Sequence, residues 1–376
     1  MKWEKVKLGD MTDSCLGKML DQQKNRGEFQ PYLANVNVRW GTFNLDDLPQ
    51  MRFEENEQER YGLRYGDLVV CEGGEPGRCA IWKEQIPNMK IQKALHRVRA
   101  HDGLDYRYLY YWFLWSGKRG ALEQYFTGAT IKHMPGQKLQ EVLIDKPPLE
   151  IQKRMADILS AYDNLIENNQ KQIKLLEEAA QRLYKEWFVD LRFPGYETTP
   201  VVDGVPEGWH QGTLEELISI NYGKDHKQVP EDGEIPVYGS GGLIRKCNKF
   251  LYTGEAVLIP RKGSLNHIMY VNEAFWTVDT MFYATMKKPN TALFVYFFIS
   301  SFDMYAMNIG AAVPSMTVKI LEAIPLLIPS ENALKRFDDT VKVYFQKIAV
   351  LNKQIEGLAE ARDRLLPKLM SGEIEV

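Results

Sequence analysis

The sequence has few of the features that mark secreted, membrane or zinc-binding proteins. Four cysteines, Cys15, Cys71, Cys79 and Cys247, are spread unevenly over 376 residues, a pattern that indicates neither a disulfide framework nor a zinc site. No apolar run reaches the roughly 18 residues of a membrane span, and the first residues contain no apolar signal core. We therefore expect a cytoplasmic protein that makes no membrane contact.

Motifs that supply catalytic chemistry are also missing. The chain has no G-x-x-x-x-G-K-[ST] phosphate loop, no G-x-G-x-x-G after a predicted strand and no H-E-x-x-H pair. Residues 239–242, Gly-Ser-Gly-Gly, lack the spacing and the strand-to-helix setting of a nucleophile elbow. We expect a chain without catalytic residues, cofactor or metal of its own.

Positive charge is not in excess, because 47 Lys and Arg residues against 50 Asp and Glu residues give a net charge of −3. Bulk charge alone therefore does not predict nucleic-acid binding. Basic residues nevertheless cluster locally, in residues 90–99, 118–119 and 245–249. Any nucleic-acid contact would depend on such local groups and on positive charge supplied by partners.

The chain does contain an internal repeat. Residues 128–188 align without a gap on residues 310–370, with the same kinds of side chain at matching positions. The openings that begin at Trp3 and Trp209 also match, so the repeated unit is a domain followed by a helix. Matching pairs include Met134 with Met316, Pro147 with Pro329, Tyr162 with Tyr344, Ile166 with Ile348, and Ile173 with Ile355.

Each copy ends in a predicted long helix with one apolar seam. Seam residues recur at alternating steps of four and three, which is the spacing of coiled-coil a and d positions. A seam of roughly 35 residues predicts a rod of about 50 Å, and the two seams are expected to bury each other. Asn169 stands where the second seam has Leu351, and it would either fix helix alignment or contact a partner. The principal seam residues are Leu159, Tyr162, Ile166, Ile173, Leu176, Leu183, Val341, Tyr344, Ile348, Ile355, Leu358 and Leu365.

Each domain contains a predicted β-hairpin and an aromatic stretch. Residues 66–82 and 254–270 place apolar runs on both sides of a Gly-bearing loop, which indicates hairpins. The aromatic stretches at 108–114 and 294–299 predict a helix or strand buried in the core. Between the domain openings and the hairpins the copies diverge, as expected for two related modules with different recognition tasks.

This order of features resembles the specificity (S or HsdS) subunit of type I restriction-modification systems. The most specific segments are residues 238–242, 259–264, 275–280 and 365–372, and the resemblance covers essentially the full length. It implies an α+β protein in which two long antiparallel helices, forming a coiled coil, join two pseudo-symmetric α/β target recognition domains. The expected divisions are residues 1–150 for the first domain, 151–193 for the central helix, 194–330 for the second domain and 331–376 for the C-terminal helix.

The resemblance also implies a function and partners. Each domain would read one half of a bipartite double-stranded DNA target, and methyltransferase subunits, expected to be two, would dock on the helices. Restriction subunits are further possible partners, and S-adenosylmethionine, ATP and Mg would belong to the partner subunits. Two alternatives stay open: a pseudo-dimeric adaptor that binds proteins or ligands instead of DNA, and a recognition region detached from a larger restriction-methylation enzyme.

Basic, amide and hydroxyl side chains on and around the divergent loops are the candidate DNA contacts, because such groups bind base edges and phosphates. In the first domain the candidates are Asn35, Asn37, Arg39, Arg78, Gln92 and Lys93, with Lys132 and His133 expected on phosphates. In the second domain they are Lys224, Tyr238, Ser240, Arg245, Arg261, Lys262, Asn266 and Thr280.

Overall fold

The computed structural model describes residues 3–21, 25–306 and 316–376. The chain forms two compact units. Unit 1 comprises Met1–Asn169 and Lys353–Val376, and unit 2 comprises Gln170–Asn352. Residues 310–315, at the start of the second copy of the repeat, lie outside the described residues.

Unit 1 combines mainly antiparallel strands with short helices, and only β3 and β9 among its named strand pairs run parallel. Its strands are β1 (Glu4–Lys7), β2 (Thr12–Leu16), β3 (Glu28–Leu33), β4 (Val38–Arg39), β5 (Thr42–Phe43), β6 (Gln50–Phe53), β7 (Leu68–Cys71), β8 (Cys79–Ile81), β9 (Lys90–Ile91), β10 (Leu95–Ala100) and β11 (Leu143–Lys146). Its helices are α1 (Leu8–Met11), α2 (Gln58–Tyr61), α3 (Tyr106–Lys118), α4 (Gly136–Gln140) and the first part of α5 (Leu149–Tyr184). The main sheet has the order β2-β10-β7-β8.

Unit 2 is built in the same way. Its strands are β12 (Val201–Val202), β13 (Val205–Pro206), β14 (His210–Thr213), β15 (Ile218–Tyr222), β16 (Ile235–Gly239), β17 (Gly242–Cys247), β18 (Tyr252–Pro260), β19 (Met269–Thr277), β20 (Met281–Met286) and β21 (Pro325–Ile328). Its helices are α6 (Ala292–Ser300), α7 (Val318–Glu322) and the first part of α8 (Glu331–Met370). The main sheet has the order β15-β20-β18-β19-β16-β17.

The sequence repeat is visible in the strand pairing. The order β2-β10-β7-β8 in unit 1 corresponds to β15-β20-β18-β19 in unit 2. In each unit the opening strand pairs with the strand before the long helix, β1 with β11 and β14 with β21. The predicted hairpins are the antiparallel pairs β7–β8 and β18–β19.

Both aromatic stretches are helices that lie in the cores. In unit 1, Asp105 is the N-cap residue of α3, and its carboxylate accepts the N–H groups of Arg107 and Tyr108 at 2.8 and 3.1 Å. This cap satisfies two of the N–H groups that a helix start leaves without partners. Tyr108 and Phe113 of α3 are fully buried, as is Leu293 of α6 in unit 2.

The two long helices pack in opposite directions. In unit 1 the start of α5, with Leu159, shares one core with the end of α8, with Leu369. In unit 2 the end of α5, with Tyr184, shares a core with the start of α8, with Phe337. Every predicted seam residue is buried or half-buried, and the predicted α+β fold is confirmed. Within the described ranges, no helix has the length and apolar character needed to cross a membrane.

Truncation at the seam should be costly, whereas truncation on the outer face of the same helix should not. Leu159 is fully buried and Leu165 is 51% exposed, both on α5 in unit 1. We expect Leu159→Ala to lower the free energy of unfolding by about 2–5 kcal/mol and Leu165→Ala to change it by less than about 0.5 kcal/mol. Denaturant unfolding of the two variants measures this, and equal losses would contradict the assigned seam.

Candidate nucleic-acid interface

Loop 1, residues 72–78 between β7 and β8, is held by two neighbouring segments of unit 1. The N–H of Glu72 donates to the carbonyl oxygen of Ala94 at 2.9 Å, and the N–H of Met134 donates to the carbonyl oxygen of Glu72 at 2.7 Å. Gly77 has φ +89°, and a Cβ there would lie 2.6 Å from Cδ1 of Leu122. The path of loop 1 is therefore restricted by its surroundings, and glycine is required at position 77.

Polar side chains gather on loop 1. Asn35 donates from Nδ2 to the carbonyl oxygen of Gly73 at 2.7 Å, and its Oδ1 accepts from the Arg78 guanidinium at 2.8 Å. Arg78 also pairs with Glu75 at 3.1 Å, and Trp40 Nε1 donates to the same carboxylate at 2.6 Å. The candidates Asn35 and Arg78 thus lie together, in a network where a ligand would have to replace an internal partner.

Two further candidates, Asn37 and Arg39, form hydrogen bonds with nearby backbone groups of unit 1. Asn37 is only 5% exposed; its Nδ2 donates to Asn44 O at 3.1 Å, and its Oδ1 accepts the N–H of Ala34 at 2.9 Å. These two bonds stabilise the segment that contains Asn37 and engage both ends of its side-chain amide. Arg39 is exposed, and its guanidinium donates to the carbonyl oxygens of Val36 and Val38 at 2.7 and 3.0 Å.

The other candidates of unit 1 belong to the segments that hold loop 1. Gln92 is half-buried and Lys93 is exposed, immediately before Ala94. Lys132 and His133 are exposed and precede Met134. Because both Ala94 and Met134 bond to the backbone of Glu72, these four side chains flank loop 1.

Loop 2, residues 261–267 between β18 and β19, has a comparable construction in unit 2. The N–H groups of Arg261 and Lys262 donate to the carbonyl oxygen of Thr280 at 2.9 and 3.2 Å, and Met316 donates to Arg261 O at 3.0 Å. The structure therefore brings three candidates together. The Arg261 guanidinium lies 5.5 Å from the ring centroid of Tyr222, which is 55% exposed. Tyr222 was not predicted; its place at the end of a strand, two residues before Lys224, was the available indication.

Three other candidates of unit 2, Ser240, Asn266 and Lys224, lie in loop 2 or beside it. His267 bonds through Nδ1 to the carbonyl oxygen of Ser240 at 3.0 Å. Asn266 donates to Asp303 at 3.1 Å and accepts the N–H of Met304 at 2.8 Å, so its amide is engaged. The exposed Lys224 lies on the neighbouring segment.

The remaining two candidates hold parts of unit 2 together. Tyr238 donates its hydroxyl to Glu273 at 2.8 Å, and burial together with this bond raises the pKa of Tyr238 far above its usual value. The Arg245 side chain is 15% exposed and bonds to His226 Nδ1 at 3.1 Å, to Val229 O at 3.0 Å and to Glu231 at 3.4 Å. Neither side chain offers a free polar group at the surface.

The two loops share a backbone pattern but differ in charge. Glu72 and Arg261 hold equivalent places, because each accepts a backbone hydrogen bond from the methionine that aligns in the repeat. Gly74 and Gly263, two residues further on, both have positive φ, +73° and +85°. Loop 1 contains two glutamates and one arginine, whereas loop 2 contains arginine, lysine and histidine and no carboxylate. The same scaffold therefore presents two different chemical surfaces.

Known proteins resemble the chain along nearly its whole length. A family model described as "Type I restriction modification DNA specificity domain" matches residues 1–178 and 206–360. The specificity subunit of the type I restriction enzyme MjaIX from Methanocaldococcus jannaschii is 28% identical over 352 residues, which cover 83% of this chain and 78% of that protein. The MjaVIII specificity subunit of the same organism is 24% identical over 416 residues, covering 100% and 93%.

One solved structure also resembles this fold. The S subunit of a type I restriction-modification system from M. genitalium superposes with a TM-score of 0.63 over 98% of this chain and 96% of that one. The sequence identity is 19%, so this likeness concerns the fold alone.

Adding a methyl group inside loop 1 should disturb its path. Gly77→Ala places a Cβ against Leu122 in an unfavourable backbone conformation, and we expect a loss of about 1–3 kcal/mol in unfolding free energy. Gly357→Ala is the control, since nothing lies within 4 Å of its Cβ on helix α8; it should stabilise by about 0.5–1 kcal/mol. Thermal unfolding compares the two, and an unchanged stability in Gly77→Ala would show that the loop can move.

Proposed function

Because the chain belongs to the type I restriction-modification DNA specificity family, with a domain of that family in each half, we propose that each unit reads one half of a bipartite double-stranded DNA target. The observation that carries this proposal is the pair of loops with one backbone pattern and different side chains. Two readers of unlike half-sites need a common support and separate contact groups. An asymmetric target follows from the opposite charge of the loops.

In unit 2, Arg261 is the proposed base-reading side chain. An arginine binds the two acceptors of guanine in the major groove, and its stacking on Tyr222 would hold the guanidinium in one plane. Lys262 and Lys224, both exposed, are proposed to bind phosphates, with Thr280 supporting the loop backbone. Loop 2 has no carboxylate that would repel the DNA backbone.

In unit 1, the proposed base contacts arise from the network on loop 1. Asn35 is suited to adenine and Glu75 to the amino group of cytosine, and either would exchange a present partner for a base edge. Arg39, Lys93, Lys132 and His133 would bind phosphates around the loop. This arrangement favours a half-site different from that of unit 2.

The helices are the proposed attachment site for two methyltransferase subunits. Leu175, Val343 and Val350 on the helices of unit 2 are 64%, 58% and 48% exposed, and such apolar groups are typical of surfaces that are covered in a complex. S-adenosylmethionine, ATP and Mg would act in the methyltransferase and restriction subunits, and this chain would contribute DNA recognition in the cytoplasm. With a net charge of −3, we expect tight DNA binding only in that assembly.

Substitutions in loop 2 separate base reading from phosphate binding. In the assembled complex, Arg261→Gln should weaken methylation of the cognate site by about 1–3 kcal/mol, roughly 5- to 150-fold, and relax one position of one half-site. Lys262→Gln should weaken binding to all sequences alike and reduce the salt dependence by about one released counterion. Lys288→Gln, an exposed lysine of unit 2 away from loop 2, is the control. If Arg261→Gln left every target position as selective as before, the assignment would fail.

The length of the helices should set the gap between half-sites. One heptad inserted after Asn169 in α5, and one after Asn352 in α8, extends both helices by about 10 Å while keeping the seams in phase. We expect the gap of unspecified bases to lengthen, by up to about three base pairs at 3.4 Å each, with both half-sites unchanged. Sequencing of methylated adenines gives the motif. A heptad in one helix alone is the control and should abolish methylation, and an unchanged gap in the double insertion would contradict the proposal.

A further inference from the structure

Unit 1 contains a cavity whose lining includes no residue of loop 1 and none of the candidate DNA contacts. Its volume is about 660 Å³, within the range of small-molecule sites. Ile86 and Pro87 supply an apolar edge, and the buried Leu63 and Trp82 lie beneath it. Lys90 of strand β9 also lines the cavity, and its side chain supplies a buried positive charge.

Lys90 is a buried cation without a partner. It is 4% exposed, and within the described residues it makes no side-chain hydrogen bond or ion pair. The backbone fixes its place, because Lys90 pairs with Tyr32 of β3 on one side and forms a bridge with Gly62 on the other. A Cβ on Gly62 would lie 3.4 Å from Lys90 Nζ, so the ammonium lies over a glycine that also lines the cavity.

Other buried cations of the same unit are compensated. Lys18, 3% exposed, binds the carboxylate of Glu57 and the carbonyl oxygen of Arg52. Arg97, 4% exposed, binds Asp13. Burial lowers the pKa of Lys90. A buried charge without a counter-charge is energetically costly. An anionic ligand in the cavity would supply the counter-charge for Lys90.

The acidic residues around the cavity are in part already engaged. Glu59 accepts two hydrogen bonds from Arg64, each at 2.6 Å, and Glu84 accepts the N–H of Tyr65 at 3.1 Å. Glu55 remains at the edge, and would disfavour ligands with several negative charges. A ligand with one anionic group and an apolar body matches these surroundings.

We propose that this cavity binds a small molecule whose carboxylate or phosphate group pairs with Lys90 while its ring or hydrocarbon part packs against Ile86 and Pro87. Such binding would stabilise unit 1 without involving loop 1. The site therefore stands apart from DNA recognition, and its test uses no DNA.

The test is thermal unfolding of the full chain with benzoate, phenyl phosphate or inorganic phosphate, at constant ionic strength set with chloride. We expect at least one of the two aromatic anions to raise the melting temperature in a saturable way, and benzyl alcohol, which is neutral, to have no effect. The comparison of benzoate with phenyl phosphate distinguishes a carboxylate site from a phosphate site. A response to inorganic phosphate alone, or to none of the anions, would overturn the proposed aromatic-anion site.

Lys90→Met is the decisive variant, because it keeps the length of the side chain and removes the charge. It should fold, with a melting temperature equal to or above that of the native chain, and should lose the response to the anions. Lys7→Met, which removes an exposed lysine of the same unit, should keep the response. Equal responses in the native chain and in Lys90→Met would assign the effect to nonspecific anion binding and contradict the site.

Discussion

Burial of the helix seam is the interaction on which the rest of the structure depends. In each unit, residues of α5 and α8 belong to the same core as the aromatic helix of the recognition domain. A domain of this kind cannot be separated from its part of the helix pair without exposing that core. Each domain is therefore attached to the helices by the same apolar contacts that stabilise its fold.

Polar contacts also fix the orientation of each domain relative to its part of the helices. In unit 1 the hydroxyl of Tyr111 on α3 donates to Asp163 of α5 at 2.6 Å, and Arg362 of α8 binds the same carboxylate. In unit 2, Lys342 of α8 binds Glu255 of β18 at 2.7 Å. Partly buried charge pairs of this type restrict geometry more than they add stability. Reading two half-sites at a fixed separation would require such a fixed angle between each domain and its part of the helices.

The sequence was sufficient for the repeat, the hairpins and the seam, because each leaves a periodic or repeated pattern of side chains. It was insufficient for the site. Asn37 and Arg245 looked like surface contacts but bond within their own units, since the orientation of a polar side chain depends on turns that no spacing reveals. Arg362 shows the same limit: it is half-buried on α8 and is compensated by Asp163, far away in sequence. In the sequence Lys90 is one member of a basic cluster, whereas its burial without a charged partner arises only in the folded unit.

Reading by two units is tested by single-molecule sequencing of methylated adenines in cells that express this chain with a methyltransferase subunit, compared with cells that lack only this chain. We expect a split motif, two specific halves separated by a fixed number of unspecified bases, which disappears when the chain is removed. Methylation that is unchanged without the chain, or a motif that is continuous, would contradict reading by two separate units.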